Sequence, residues 1–324
     1  MLLMYLTVLM GLGVGWSIGA NDAANSLGTA VGSGVRTVRQ AIILISVFGF
    51  LGAYLQGSYV VKTIGKDIVP INELDKTLAA YLALVAAFSA CLWIVVATYW
   101  KIPISTSHSI VGAVAGAGLA IGAPIRWKVL GDIFVCWIFT PIGSAILGYI
   151  CYRVFRNLFV RIIPRKYLSR VLSILITLSG CYVAYSWGAN DVANSTGVLA
   201  GAGILSPKVC VIIGGVAILV GVMTWGYKVM ETIGSGITNL VPIMAFSAEL
   251  ASAINVHIYT ICGIPVSTSH SIVGAVVGVG MVKGLRVINL RIMREIVICW
   301  LVTPGASGLI SFLGLKLVVL FIKV

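Results

Sequence analysis

Acidic side chains are scarce in this sequence: Asp and Glu number nine in 324 residues, against 22 Lys and Arg. Charged residues make up only 10% of the chain, where a soluble domain carries roughly a quarter, so a water-exposed globule is excluded. No CxxC pair occurs among the seven cysteines, and most of them lie in apolar runs. They read as small hydrophobes, not as disulfide partners or metal ligands. No Walker loop is present, which argues against ATP hydrolysis by this chain. The N-terminus lacks a basic n-region and its apolar stretch runs straight into a polar motif, so it does not read as a cleavable signal.

What is there is hydrophobic: 60% of residues are apolar and the mean hydropathy is +1.08. Apolar segments fall near 1–20, 40–61, 78–99, 104–123, 129–152, 171–187, 209–227, 241–261, 266–282 and 296–322. Several reach about 20 residues, enough to cross about 30 Å of hydrocarbon as a helix. A β-barrel would show short alternating segments instead. The expectation is an all-α polytopic membrane protein in the lipid bilayer. The net charge of +13 raises the question of nucleic acid. The basic residues cluster between apolar segments, however, where the positive-inside rule puts them, and no nucleic-acid partner is expected.

The chain is duplicated. Gly19-Ala20-Asn21-Asp22-Ala23-Ala24-Asn25-Ser26 returns as Gly188-Ala189-Asn190-Asp191-Val192-Ala193-Asn194-Ser195. Pro103-Ile104-Ser105-Thr106-Ser107-His108 returns as Pro265-Val266-Ser267-Thr268-Ser269-His270, and Trp137 with Thr140-Pro141 returns as Trp300 with Thr303-Pro304. The division is a first membrane repeat over 1–152, a basic cytoplasmic linker over 153–170 and a second repeat over 171–324. Gly, Asn and Asp tolerate turn conformations, so both Gly-Ala-Asn-Asp runs are expected to break their helices. Segments 23–34 and 192–204 then become separate pieces, which gives about ten to twelve membrane segments with broken or re-entrant helices.

Five crossings per repeat is odd, so the second repeat would enter the membrane upside down. An external N-terminus leaves fourteen basic residues inside, among them Arg36, Arg39, the six of the linker and Arg286. Seven lie outside, among them Lys62, Lys66, Arg126 and Lys323. Both termini are therefore expected on the extracytoplasmic side. The Ser-Thr-Ser-His segments are the ones most suited to dip into the membrane without crossing. Inverted repeats with interrupted helices are the architecture of secondary transporters, with substrate and ions bound where the copies meet.

The motifs carry complementary chemistry. A helix starting after Pro103 or Pro265 offers free backbone N–H groups and three hydroxyls, an anion site without a cation. The plainer alternative is helix capping alone; two matched copies favour binding. Asp22 and Asp191, with Asn21, Asn25, Asn190 and Asn194, offer oxygen ligands to a hard cation, sodium foremost. Their plainer role is capping helix ends. Two carboxylates and a divalent oxyanion would put about four negative charges in a low-dielectric site, and no Lys or Arg lies in the motifs. Co-bound cations or protons must supply the balance. Glu249 sits inside an apolar span without a counterpart (Cys91 holds the matching position) and is an extra candidate cation ligand; otherwise it pairs with Asn255 or Ser252. His108 and His270 suit an orienting hydrogen bond better than a proton relay. Glycines at four-residue spacing (Gly11, Gly15 and Gly19; Gly112 and Gly116; Gly274 and Gly278) suit close helix contacts.

At these residues the chain closely resembles the inorganic phosphate transporter family, whose members carry a duplicated GANDVANS-type signature; here one copy has Ala23 for the Val. The resemblance covers essentially the whole chain. It implies a secondary transporter of inverted repeats, a homodimer, and phosphate contacted at Asp22, Asn25, Ser105, Thr106, Ser107, Asp191, Asn194, Ser267, Thr268 and Ser269. The chain lacks the large central loop of animal members. The function expected is sodium-coupled phosphate symport across the cell membrane by alternating access. The alternatives are proton-coupled phosphate or sulfate symport, a passive anion channel, and an intramembrane hydrolase using Ser17 of a chance Gly-x-Ser-x-Gly match. No enzyme activity and no resident cofactor are expected, only co-transported sodium.

Overall fold

A computed structural model describes residues 1–228, 240–284 and 289–322; Arg286 and Lys323, counted above, lie outside them. Among the described residues there are eleven α-helices and no strands. They are α1 (Leu2–Gly32), α2 (Val38–Gln56), α3 (Ser58–Lys62), α4 (Lys76–Tyr99), α5 (Thr106–Ala120), α6 (Trp127–Ile162) and α7 (Arg165–Gly201). The last four are α8 (Pro207–Trp225), α9 (Pro242–Ile261), α10 (Thr268–Met281) and α11 (Leu290–Ile322). Helices α1, α2, α4, α6, α7, α8 and α11 are long and apolar enough to cross a membrane. With 15 and 14 residues, α5 and α10 are about 22 Å long at 1.5 Å per residue, too short to cross.

The expected break at the Gly-Ala-Asn-Asp runs is absent. Both runs lie inside continuous helices of 31 and 37 residues, and segments 23–34 and 192–204 begin as further turns of α1 and α7. Asn and Asp disrupt helices by bonding their own backbone. Here their side chains are engaged by other elements, so that competition is lost. The interruptions fall instead at the tips of two hairpins. After α4, Lys101 adopts φ 60° and Pro103 bars helix; after α9, Gly263 adopts φ 71° and Pro265 does the same. Each second arm starts at a capped serine: Ser105 Oγ accepts from His108 N at 3.2 Å, and Ser267 Oγ from His270 N at 3.1 Å.

The basic stretch 153–170 is not an open loop. It lies on the end of α6 and the start of α7, which part only at Ile163 and Pro164.

Small residues set the helix spacing. A Cβ on Gly19 would stand 1.9 Å from Ile218 O, and one on Gly221 would stand 1.9 Å from Trp16 O, so α1 and α8 touch backbone to backbone. Gly112 and Gly116 of α5 press on Pro304 and Gly308 of α11, while Gly274 and Gly278 of α10 press on Pro141 and Ala145 of α6. These crossings seat the hairpins against the long helices and bring both Ser-Thr-Ser tips to the middle of α1 and α7.

Candidate functional site

Asn21 and Asn190 hold the tips in place. Asn21 Nδ2 donates to Thr98 Oγ1 (2.9 Å) and Ile102 O (3.1 Å), and its Oδ1 accepts from Ile104 N (3.3 Å). Asn190 repeats the pattern with Thr260 Oγ1 (2.9 Å), Ile264 O (3.2 Å) and Val266 N (3.2 Å). Both amides therefore turn toward the hairpins, away from the hydroxyls that the adjacent Asp22 and Asp191 engage.

The carboxylates meet the hydroxyls. Asp22 accepts from Thr106 Oγ1 (2.7 Å), Ser269 Oγ (3.1 Å) and Asn25 Nδ2 (2.8 Å). Asp191 accepts from Thr268 Oγ1 (3.1 Å), Ser107 Oγ (3.5 Å) and Asn194 Nδ2 (3.0 Å). Each carboxylate thus takes the threonine of the tip from its own half of the chain and the last serine of the tip from the other. The tips also clasp one another: Ser107 Oγ donates to Val266 O and Ser269 Oγ to Ile104 O, both at 2.9 Å. Asn25 Nδ2 reaches Thr268 Oγ1 (3.1 Å) and Ser269 Oγ (3.0 Å), and Asn194 Nδ2 reaches Ser107 Oγ (2.9 Å). Every motif residue expected at the site is buried.

Two features of this cluster are chemically incomplete. Asn25 Oδ1 and Asn194 Oδ1 are buried without a hydrogen-bond partner, each beside a carboxylate whose own donors are hydroxyls and amides. A buried amide oxygen left alone is costly, and a hard cation is a partner it would accept. Among the described residues, ion pairs join only Arg126 to Asp67 and Glu73, and Arg291 to Glu295. None neutralises Asp22, Asp191 or Glu249.

Sequence comparison agrees with what this geometry suggests. Residues 18–311 match the phosphate transporter family. The chain belongs to that family. A Pyrococcus furiosus protein with a phosphate-permease name is 32% identical over 95% of this chain and 94% of its own length. The Arabidopsis thaliana chloroplastic inorganic phosphate transporter 2-1 is 31% identical over 93% of this chain and 70% of its own. A solved structure described as the sodium-dependent phosphate transporter superposes with a TM-score of 0.92 at 29% identity, covering 99% of this chain and 100% of that one. The family is one of multi-pass membrane transporters, and this chain is one of them.

The remaining candidates fall elsewhere. Glu249 does not pair with Asn255 or Ser252. Thr29 Oγ1 donates to its Oε1 and Ser179 Oγ to its Oε2 (2.6 Å), so the carboxylate joins α9 to α1 and α7. Thr29 and Ser179 carried no signal of this, because nothing in one sequence aligns α9 with the end of α1 and the middle of α7. Ser17, the hydrolase candidate, is buried and donates to the backbone carbonyl of Val14. The two histidines do make orienting bonds, to the carbonyls of Trp300 and Trp137.

Proposed function

We propose that this family member is a sodium-coupled phosphate symporter of the cell membrane. One observation carries the reading. Each hydroxyl has a single proton, and those of Thr106, Ser107, Thr268 and Ser269 reach the two carboxylates or the opposite tip. To bind phosphate oxygens they must leave those acceptors. The carboxylates then lose their donors while an anion arrives, and removing both charges from water costs several kcal/mol per ion unless they are paired. Cations must therefore enter with the anion, on the oxygens that the hydroxyls release.

In this reading Ser105, Thr106, Ser107, Ser267, Thr268 and Ser269 line the phosphate site with Asp22, Asn25, Asp191 and Asn194. Sodium sits against Asp22 with Asn25 Oδ1 and against Asp191 with Asn194 Oδ1. Asn21 and Asn190 act by holding the tips, and Glu249 with Thr29 and Ser179 is a further cation position.

The repeats are proposed to be inverted, with residues 1–152 and 171–324 as the two units and 153–170 between them. Support comes from the matched contacts of the site and from the hairpins. The end of α5 returns to the start of α4, since Gly118 faces Val69 and Arg126 N bonds Ile68 O. With α4 and α5 entering and leaving on one side, the first repeat crosses in full at α1, α2 and α6, an odd number that puts both termini on one side, the outer one by the charge count. A homodimer belongs to the same proposal, on the family resemblance. Alternating access would move the hairpins with their serine tips relative to α1 and α7.

The test is labelled phosphate uptake into proteoliposomes under sodium, potassium and pH gradients, with sulfate as competitor. Sodium-driven accumulation resistant to sulfate is expected. Accumulation driven by the pH gradient alone would assign proton coupling, strong sulfate competition would assign the wider oxyanion class, and gradient-independent flux would indicate a channel.

A further inference from the structure

Pro141 and Pro304 lie inside α6 and α11 and carry no N–H, so the carbonyls of Trp137 and Trp300, four residues earlier, lack their helical donor. The structure supplies both from the side. His270 Nδ1 lies 3.2 Å from Trp137 O, and His108 Nδ1 lies 3.1 Å from Trp300 O. A carbonyl oxygen only accepts, so this geometry assigns the proton to Nδ1 in both rings and leaves a lone pair on both Nε2 atoms. His108 stacks on Trp137 with centroids 3.6 Å apart, His270 on Trp300 at 3.7 Å, and the imidazoles meet edge to face at 4.5 Å. Both histidines are only 4% exposed, and Nε2 of each is buried without a hydrogen-bond partner.

These two rings line a cavity of about 430 Å³ between α6 and α11. Its other walls are apolar, including Phe134, Ile138, Ile142 and Leu301. Its mouth opens on the outer flank of the helix bundle, where Ile138 is 62% and Leu301 75% exposed. The volume is in the range of small-molecule sites, about 300–1,000 Å³.

We propose that this cavity binds an uncharged amphiphile, a lipid alcohol with an apolar body and a hydroxyl that donates its one proton to Nε2 of His108 or of His270. The polar groups decide the class. Two neutral imidazole lone pairs need a donor, which an ionised carboxylate or phosphate headgroup lacks; the indole N–H of Trp300, also on the wall and buried without a partner, needs an acceptor, and a hydroxyl is both. A pure hydrocarbon would fill the walls and leave both nitrogens unsatisfied, which is costly in a dry site. The Ser-Thr-Ser hydroxyls belong to the tips and are not part of this site.

The probe is hexadecanol carrying a photoreactive diazirine, added to the full chain in phosphatidylcholine nanodiscs and mapped by mass spectrometry. Labelling is expected to concentrate on residues 134–142 and 297–304. Unlabelled hexadecanol should compete about fivefold better than its methyl ether, which has the same body and no donor; that ratio is the worth of one neutral hydrogen bond. Ile138→Trp narrows the mouth without touching either histidine, and should cut labelling about fivefold at unchanged Tm. His108→Phe and His270→Phe keep an aromatic ring for stacking and should erase the preference of alcohol over ether. Equal competition by the ether, labelling spread evenly over the outer helices, or wild-type labelling of Ile138→Trp would overturn the proposal. So would efficient disulfide cross-linking between two copies through Ile142→Cys and Leu301→Cys, because a second chain would then cover the cavity.

Discussion

Replacing Asp22 by Asn changes charge and almost nothing else. Asp22 Oδ1 accepts from Asn25 Nδ2 and Ser269 Oγ, and Oδ2 accepts from Thr106 Oγ1. The new amide would place its oxygen toward Asn25 and Ser269 and its NH2 toward Thr106, whose hydroxyl can rotate and accept. One hydrogen bond reverses and none is lost, so the folding cost is about 1 kcal/mol or less. Removing one partner from a buried ionic contact costs about 3–5 kcal/mol, which is a loss of 10²-fold or more in cation affinity. The assay is the sodium-concentration dependence of labelled phosphate uptake in proteoliposomes, run beside the thermal stability of the same preparation in detergent. Asp22→Asn should leave Tm within a few degrees of wild type and push half-maximal sodium beyond the accessible range. A variant with wild-type sodium dependence would refute the exchange of hydroxyls for cations. A variant that fails to fold would show that the carboxylate is a structural anchor.

Other outcomes follow from the same contacts. Glu249→Gln keeps the bridge among Thr29, Ser179 and α9 but removes its charge; half-maximal sodium should rise about tenfold or more, with folding retained. Gly221→Ala would drive a Cβ to 1.9 Å from Trp16 O; the α1–α8 contact must open, at a cost of about 3 kcal/mol, read as a lower Tm and a lower yield of monodisperse protein. Gly263→Ala puts a side chain on a left-handed turn at φ 71°, with its Cβ 3.0 Å from Tyr59 O; strain of about 1 kcal/mol should lower Tm by a few degrees. Pro141→Ala returns an N–H to α6, which competes with His270 for Trp137 O; the His270 ring should lose its fixed tautomer, visible as a shifted Nδ1 resonance in nitrogen NMR.

That the repeated polar residues would gather was legible, because a membrane protein has little reason to repeat polar residues twice. The pairing of Ser-Thr-Ser tips with Asp-Asn motifs could be read from chemistry alone. Which tip meets which aspartate could not. Asp22 takes Thr106 from its own half and Ser269 from the other, a register that only the packed bundle sets. Local propensity misled at Gly19–Asp22, where long-range partners for the polar side chains let α1 run on unbroken. The proline signal was present but underused. Pro141 and Pro304 stand four residues after Trp137 and Trp300, which identifies two free carbonyls, yet nothing local names the histidines that fill them. Glu249 stood out as a charge in an apolar run; its partners on α1 and α7 did not.

The most direct measurement is simultaneous uptake of labelled sodium and labelled phosphate into the same proteoliposomes at fixed pH with the membrane potential clamped. If arriving phosphate strips the hydroxyls from Asp22 and Asp191, sodium must enter in a constant ratio to phosphate, and replacing it with choline must stop both. Phosphate accumulating without sodium entry would contradict the account.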